Sequence, residues 1–539
     1  MHCSRGLITS LKTPLTLRIE SKQIEKIPQR INFLGINDIT SLRNLGPFFL
    51  ATSAFTSPLA AQDTELSDRL LALEKRIEAL ANENADLRAE LGLIKAEATV
   101  GAERTAAAEE PGGPMQKREN FNDSIGTNSA YAFRVLDHSV DVNTKPIVQL
   151  KALRDEQLSD RITLSGQITA IANYQWSNRD DKFGYLMRNP TSANQIGDTV
   201  SEAVLHSANL AMTARLSDDL LGYAELLYNP EQNFGPGTIT SRDRNQIQLR
   251  RGWIMWGNLD KSPIYALIGK MDVPFGLNDS VNPFTNSTNW HAFSPLAYGA
   301  QLGFYASGLS VRAMAVQGGA QFRSANAPVR GTAVPSRLNN FAFDANYQIP
   351  LGIDGDNARF GASYQHATSY CQGYPVFHFN PCEERNPGIA AYGVVNFGQL
   401  KLLGEYAQTT KAWPGSNVPI PNNPLSVFPA VKTKAFTIGG RYSFGEAVDV
   451  EQNRKFAFSG EFSKFIAGAE NSPWERQNQA VLGFSYFPFS HFNIFSEFIH
   501  VDGFAPLNFV SGGNFPDGST WSDREAATNV ILVGATAAF

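Results

Sequence analysis

The sequence predicts an all-β transmembrane barrel of about 16 antiparallel strands, preceded by an N-terminal α-helical coiled coil. Three observations predict this: period-two alternation from residue 161 to the end, long connections on only one side of that series, and a heptad seam ahead of it. Of the 539 residues 42% are hydrophobic, 18% charged and 11% aromatic, too apolar and aromatic for a chain that stays disordered. A formal net charge of −5, with no basic cluster interleaved with aromatics, excludes nucleic acid as a partner. No stretch has the roughly 18 uninterrupted apolar residues of a spanning helix, and the mean hydropathy is −0.23. A place in the membrane therefore requires strands.

Residues 1–61 read as a leader. Arg43 precedes the apolar stretch Pro47 to Phe55, which runs into Ala60-Ala61, the order of a charged region, an apolar region and a cleavage site. Cleavage is expected near Ala61, and the polar residues before Arg43 fit an upstream mis-assigned start codon. Export agrees with cysteine usage. Cys371 and Cys382 lie in a Gly/Pro/Asn-rich segment, where a disulfide would staple a loop in an oxidising compartment; free thiols and a metal site are the alternatives.

Residues 62–97 carry the seam. Leu66, Leu73, Leu80, Leu87 and Ile94 take position d, and Leu70, Ile77, Asn84 and Leu91 take position a, with charged residues between them. Such a helix must self-associate to hide the seam, and Asn84 at an a position trades stability for register. At 1.5 Å per residue the rod would be about 43 Å long. Residues 98–160 read as a linker by composition, clearest at Ala106 to Pro114; the mixed stretch from Phe121 to Leu150 is compatible with a short strand or a plug-like segment.

The barrel is assigned to residues 161–539. Alternation as in Ile162, Leu164, Gly166, Ile168 and Ala170 gives sixteen segments, starting near residues 161, 203, 220, 246, 263, 297, 309, 339, 357, 389, 400, 433, 455, 477, 491 and 526. Connections after odd-numbered segments are long and those after even-numbered ones short, with residues 444–454 the exception, which matches the two rims of an outer-membrane barrel. Ile531, Val533, Ala535, Ala537 and Phe539 alternate toward a terminal Phe. That ending resembles the C-terminal strand signal which the barrel-assembly machinery reads.

Sixteen strands are wide enough for an aqueous lumen. If the Phe- and Leu-rich parity faces lipid, the opposite parity lines the pore with Arg250, Lys270, Asp272, Arg359, Lys401, Glu405, Arg441 and Glu461, together with Arg215, Arg312, Asp344, Lys455 and Glu497. This mixed, slightly basic lining predicts a weak anion preference. The third long connection holds Asn278, Asp279, Asn282, Asn286, Trp290 and His291, and by analogy with general porins it is expected to fold inward and constrict the pore.

The run from Gly252 to Pro263, followed by Tyr265 to Gly276 (YALIGKMDVPFG), resembles the strand pair before the third loop of LbtU-type siderophore porins. Its Gly-Lys-x-x-x-Pro-Phe-Gly core is more distantly similar to the phosphate-selective porin O/P family, although no lysine ladder of that family maps onto this sequence. The resemblance implies an outer-membrane porin, a homotrimer, with the coiled coil in the periplasm and passive diffusion of small polar solutes or an iron-siderophore. No cofactor is implied. The alternative is a structural tether that uses the coiled coil to reach the cell wall. An enzyme is not expected: G-x-S-x-G, H-E-x-x-H, P-loop and G-x-G-x-x-G motifs are absent, and the nearest catalytic candidates, Ser496 and His500, merely share one strand face.

Overall fold

The computed structural model describes residues 122–180, 182–185, 197–229, 233–234, 240–241, 246–317, 338–352, 355–370, 384–413, 428–448, 454–505 and 522–539. The expected leader, coiled coil and Cys371–Cys382 disulfide lie outside the described residues. What is described belongs to one unit, Gln116–Phe539.

Sixteen antiparallel strands close on themselves. They are β2 (Asp160–Ser177), β3 (Thr199–Ser217), β4 (Leu220–Asn229), β5 (Gln246–Trp256), β6 (Ile264–Asp272), β7 (Leu296–Ala306), β8 (Leu309–Gln317) and β9 (Leu338–Pro350) in the first half. β10 (Asn357–Gln365), β11 (Gly388–Phe397), β12 (Leu400–Thr409), β13 (Lys434–Ala447), β14 (Arg454–Ile466), β15 (Arg476–Phe489), β16 (Phe492–Phe504) and β17 (Asp523–Ala538) complete the wall. Each pairs with its neighbour in sequence, and β17 pairs with β2, from Thr528 opposite Ser177 to Ala538 opposite Gln167. Closure leaves no edge in the wall, the condition for strands in a medium that offers the backbone no hydrogen bonds. A two-residue hairpin pairs Asn233–Phe234 with Thr240–Ser241 in the second long connection.

Side chains sort by parity. Leu210, Ile254, Leu302, Phe360, Leu402, Ile438, Phe458, Leu482, Phe498 and Ile531 are exposed on the outside, while Thr213, Glu225, Asp344, Glu405, Glu461, Gln479 and Glu497 are buried on the inside. An apolar outer row and a polar inner row are what a lipid-facing barrel with a hydrated interior requires. No helix among the described residues is long and apolar enough to cross a membrane.

The interior departs from the expected open lumen. Within residues 98–160, read as linker, the chain forms a strand and two helices. β1 (Asn122–Thr127) pairs in parallel with Asp160 to Leu164 of β2. β3 and β17 leave free only that stretch of β2 on the side where β17 has run out, so β1 continues the sheet beyond Phe539. α1 (Ser129–Leu136) starts at Asn128, whose side chain caps the Tyr131 N–H, and α2 (Lys145–Arg154) has proline in its first turn. Tyr131, Val135, Leu136, Ile147, Leu150 and Leu158 form one apolar cluster with Leu221, Tyr223, Trp253, Met255, Tyr265, Leu267 and Met314 of the wall. Burying that apolar surface, not sequence length, turns the linker into a plug. Tyr131 Oη lies 2.8 Å from Thr213 Oγ1, Trp253 Nε1 donates to Gln149 Oε1 at 3.2 Å, and Arg215 donates to the Leu158 carbonyl at 2.9 Å.

Candidate functional site: the barrel interior

The connection between β6 and β7 runs through the interior, its residues from Val273 to Asn282 all buried. Three glutamates on alternate strands hold it. Glu405 of β12 accepts the Leu277 and Asn278 N–H groups at 2.8 Å each. Glu461 of β14 accepts Ser280 Oγ at 2.9 Å, the Val281 N–H at 3.0 Å and Asn282 Nδ2 at 3.1 Å. Glu497 of β16 accepts the Phe284 and Thr285 N–H groups at 2.9 Å each. The loop backbone would otherwise leave buried donors without acceptors, and each carboxylate supplies charge-assisted bonds to them.

The close approach has local requirements. Gly276 has φ +71°, and a Cβ there would sit 2.3 Å from Glu405 Oε1; at Gly483 of β15 a Cβ would meet Pro283 Cδ at 2.5 Å. Past the glutamates, a short helix, α3 (Thr288–Phe293), carries Phe293 into an apolar cluster with Phe275, Tyr370, Trp413, Phe465 and Trp474 at the long-loop end.

Plug and loop are bonded to each other. Ser280 N donates to the Ser139 carbonyl at 2.8 Å and Val142 N to Asp279 Oδ1 at 3.0 Å. Asn143 Nδ2 donates to the Phe275 and Gly276 carbonyls at 3.0 Å each, and Arg312, paired with Asp344 at 2.7 Å, donates to the Asn143 carbonyl. His138 Nε2 lies 2.8 Å from the Phe284 carbonyl, so that nitrogen carries the proton. Arg359 stands 3.8 Å from Asp279, and burial, which favours the neutral acid, is outweighed at neighbouring Asp141 by Arg359, Lys145 and Arg134, which hold its carboxyl at about 2.

The expected pore-lining residues therefore divide. Glu405 and Glu461 anchor the loop. Asp272 is consumed by a buried ion pair: Arg251 donates from Nε to Asp272 at 2.8 Å and from Nη1 to Glu225 at 2.8 Å. Arg251 was not among the expected residues. A bulge opposite Glu225 and Leu226 leaves Arg250 as the extra residue, so both arginines turn inward and Arg250 lies 3.8 Å from Glu225. Lys270 is a correction. It pairs with Gly252 and Tyr298 in the outward row of Ile254 and Ile268, with its Nζ on the Leu249 carbonyl at 2.9 Å and 5.8 Å from the Tyr298 ring centroid. Of the loop residues, Asn278 donates back to the Phe275 carbonyl, Asn282 to Thr285, and the Asn286 carbonyl accepts from Gln479. The Trp290 and His291 rings meet edge to face at 4.6 Å between centroids. Ser496 and His500 make no catalytic pair, since His500 Nδ1 sits 2.8 Å from Asn529 Oδ1 on an exposed face.

Space remains beside the plug. A cavity of about 690 Å³ opens among the α1 end and the turn after it, the loop around Ser280 to Pro283, and the short-turn ends of β11 to β17; Lys401, Arg441 and Arg454 line it. The fold thus defines a closed sixteen-stranded barrel with an apolar outside and a polar interior narrowed by an inward loop and an N-terminal plug.

No family model matches the chain. An 80-residue stretch, 15% of this chain, is 34% identical to UPF0422 proteins of Legionella pneumophila strains Lens and Paris; it spans only 14% of the length of those relatives. Among solved structures, an anion-selective porin from Comamonas acidovorans is 13% identical, with a TM-score of 0.43 over 70% of this chain and 99% of that one. The outer-membrane channel DcaP of Acinetobacter baumannii is 12% identical with a TM-score of 0.41, covering 70% and 97%. OprB of Pseudomonas putida is 10% identical with a TM-score of 0.42, covering 72% and 97%.

Proposed function

We propose that the protein is an outer-membrane channel of restricted bore, which passes small polar solutes around its plug and under its inward loop. The single observation that carries this is the polar inner row with a cavity left open beside the plug. A barrel that served only as an anchor for a tether would have no need of a hydrated, charged interior. Basic groups at the short-turn end favour anions, and an iron-siderophore is the second cargo implied by the resemblance around residues 252–276. The working form is a homotrimer held by the barrel walls and the periplasmic coiled coil, inserted through the strand that ends at Phe539.

Planar-bilayer recording under a salt gradient tests the reading. We expect small, flickering conductance with an anion-directed reversal potential, closing in three steps, and larger conductance once residues 122–158 are deleted. Silence from both folded proteins would refute a channel.

A further inference from the structure

We propose that the cavity beside the plug is a binding site for a small doubly charged oxyanion, a dicarboxylate or a phosphate. The inference deepens the channel reading, since it supplies that lumen with a ligand class. Lys401 of β12 and Arg441 of β13 stand directly opposite each other in register, and both line the cavity. Like charges so placed repel, and here both side chains are partly withdrawn from water. Among the described residues neither makes a hydrogen bond or a close ion pair; the carboxylates that act on them from farther off are Asp279 and Asp141 for Lys401 and Asp137 for Arg441.

The nearby carboxylates are committed elsewhere. Asp137 Oδ1 accepts the Ser139 and Val140 N–H groups and Ser139 Oγ. Asp141 faces Arg134 at 3.9 Å and accepts Thr144 Oγ1, and Asp279 is held between Val142 N and Arg359. Arg454 donates one Nη1 bond to the Gly445 carbonyl and presents the rest of its guanidinium to the same cavity. Positive charge is thus in excess where the space is.

Size and shape fix the class of ligand. About 690 Å³ is far more than a halide needs and lies in the range of small-molecule sites. An arginine fork grips two oxygens of one oxyanion group, and a lysine adds a point charge for a second. Arg441 stands over the Phe487 ring with 5.5 Å between guanidinium carbon and centroid, and Phe487 meets Phe133 of the plug edge to face at 6.4 Å, giving an apolar side for a short carbon chain.

Titration calorimetry on the full-length protein in detergent, at low ionic strength, tests the site with succinate and inorganic phosphate as probes. We expect saturable binding of at least one of them, weakened about tenfold or more in Lys401→Gln and in Arg441→Gln, and weakened by added salt. Whichever probe binds identifies the oxyanion source. Absence of binding to folded wild-type protein, or affinity unchanged in both variants, overturns the proposal. The measurement needs no ion flow: a protein that binds the probe but never conducts keeps the site and loses the channel reading.

Discussion

Releasing the inward loop from one glutamate should loosen it locally without harming the wall. In Glu405→Ala the Leu277 and Asn278 N–H groups, both bonded at 2.8 Å, lose their acceptor in a buried place. Each unsatisfied donor costs about 1–3 kcal/mol, so about 2–6 kcal/mol falls on the loop. The two remaining anchors still hold Val281, Phe284 and Thr285, so the effect should stay near residue 277. Hydrogen–deuterium exchange read by mass spectrometry should show faster exchange in peptides that span 275–279 and little change around 284–285, while the single-channel current becomes noisier. Joint replacement of Glu405, Glu461 and Glu497 by Ala should free the whole segment and raise conductance. Unchanged exchange at 277–278 in Glu405→Ala would show that apolar packing of Phe275, Leu277 and Phe293, not the carboxylates, holds the loop, and would refute the reasoning.

Other substitutions probe the rest of the interior. Arg251→Ala removes the buried cation that Glu225 and Asp272 share, leaving Glu225 only the longer pair with Arg250 at 3.8 Å, and should cost about 3–5 kcal/mol of barrel stability in urea titration; combining Arg251→Met with Glu225→Gln and Asp272→Asn should recover most of it. Gly483→Val should push Pro283 off the wall and raise exchange at 280–286, whereas the same change at Gly404, where a Cβ has nothing within 4 Å, should not. Burial, opposed by Asp137 and Asp141, lowers Lys145 of the plug from its ordinary 10.5 to about 8. The folded state then binds fewer protons than the unfolded one between those values, so plug docking should strengthen as pH rises from 8 to 10.5. Limited proteolysis of residues 128–158 should slow over that window, and in Lys145→Met the pH dependence should vanish.

What could be read from the sequence follows from what the bilayer demands. Lipid imposes one apolar parity on every strand, so sixteen strands were countable, and their starts fall close to the observed ones, as at Leu220, Gln246, Leu309, Asn357 and Leu400. The largest departures, residue 203 against Thr199 and residue 526 against Asp523, come where charged residues, Glu202 in one strand and Asp523-Arg524-Glu525 in the other, interrupt the apolar alternation. Lys270 shares the parity of Ile264 and Ile268, so the period-two pattern carries its outward place even though its charge suggests the lumen. Arg250 was expected inside and is inside, but its neighbour Arg251 was not legible, because a bulge adds one residue and leaves no mark in a pattern of polar neighbours.

The plug shows why the interior resists such reading. A helix inside a charged lumen meets polar wall on one side and apolar wall on the other, so α2 buries Lys145 and Gln149 along with Ile147 and Leu150. No single stripe emerges. Lys145 satisfies its ammonium on the Arg134 and Val140 carbonyls at 2.8 and 2.9 Å, contacts that exist only once the turn between the helices has formed. The same holds for Glu405, Glu461 and Glu497: in the sequence they are three inward acids suited to repelling anions, and in the fold the backbone N–H groups of one loop use them up. With those acids and Asp272 spent on structure, the charges still facing open space are predominantly basic, which is why the anion preference we propose is assigned to Lys401, Arg441 and Arg454 at the short-turn end and not to the constriction itself.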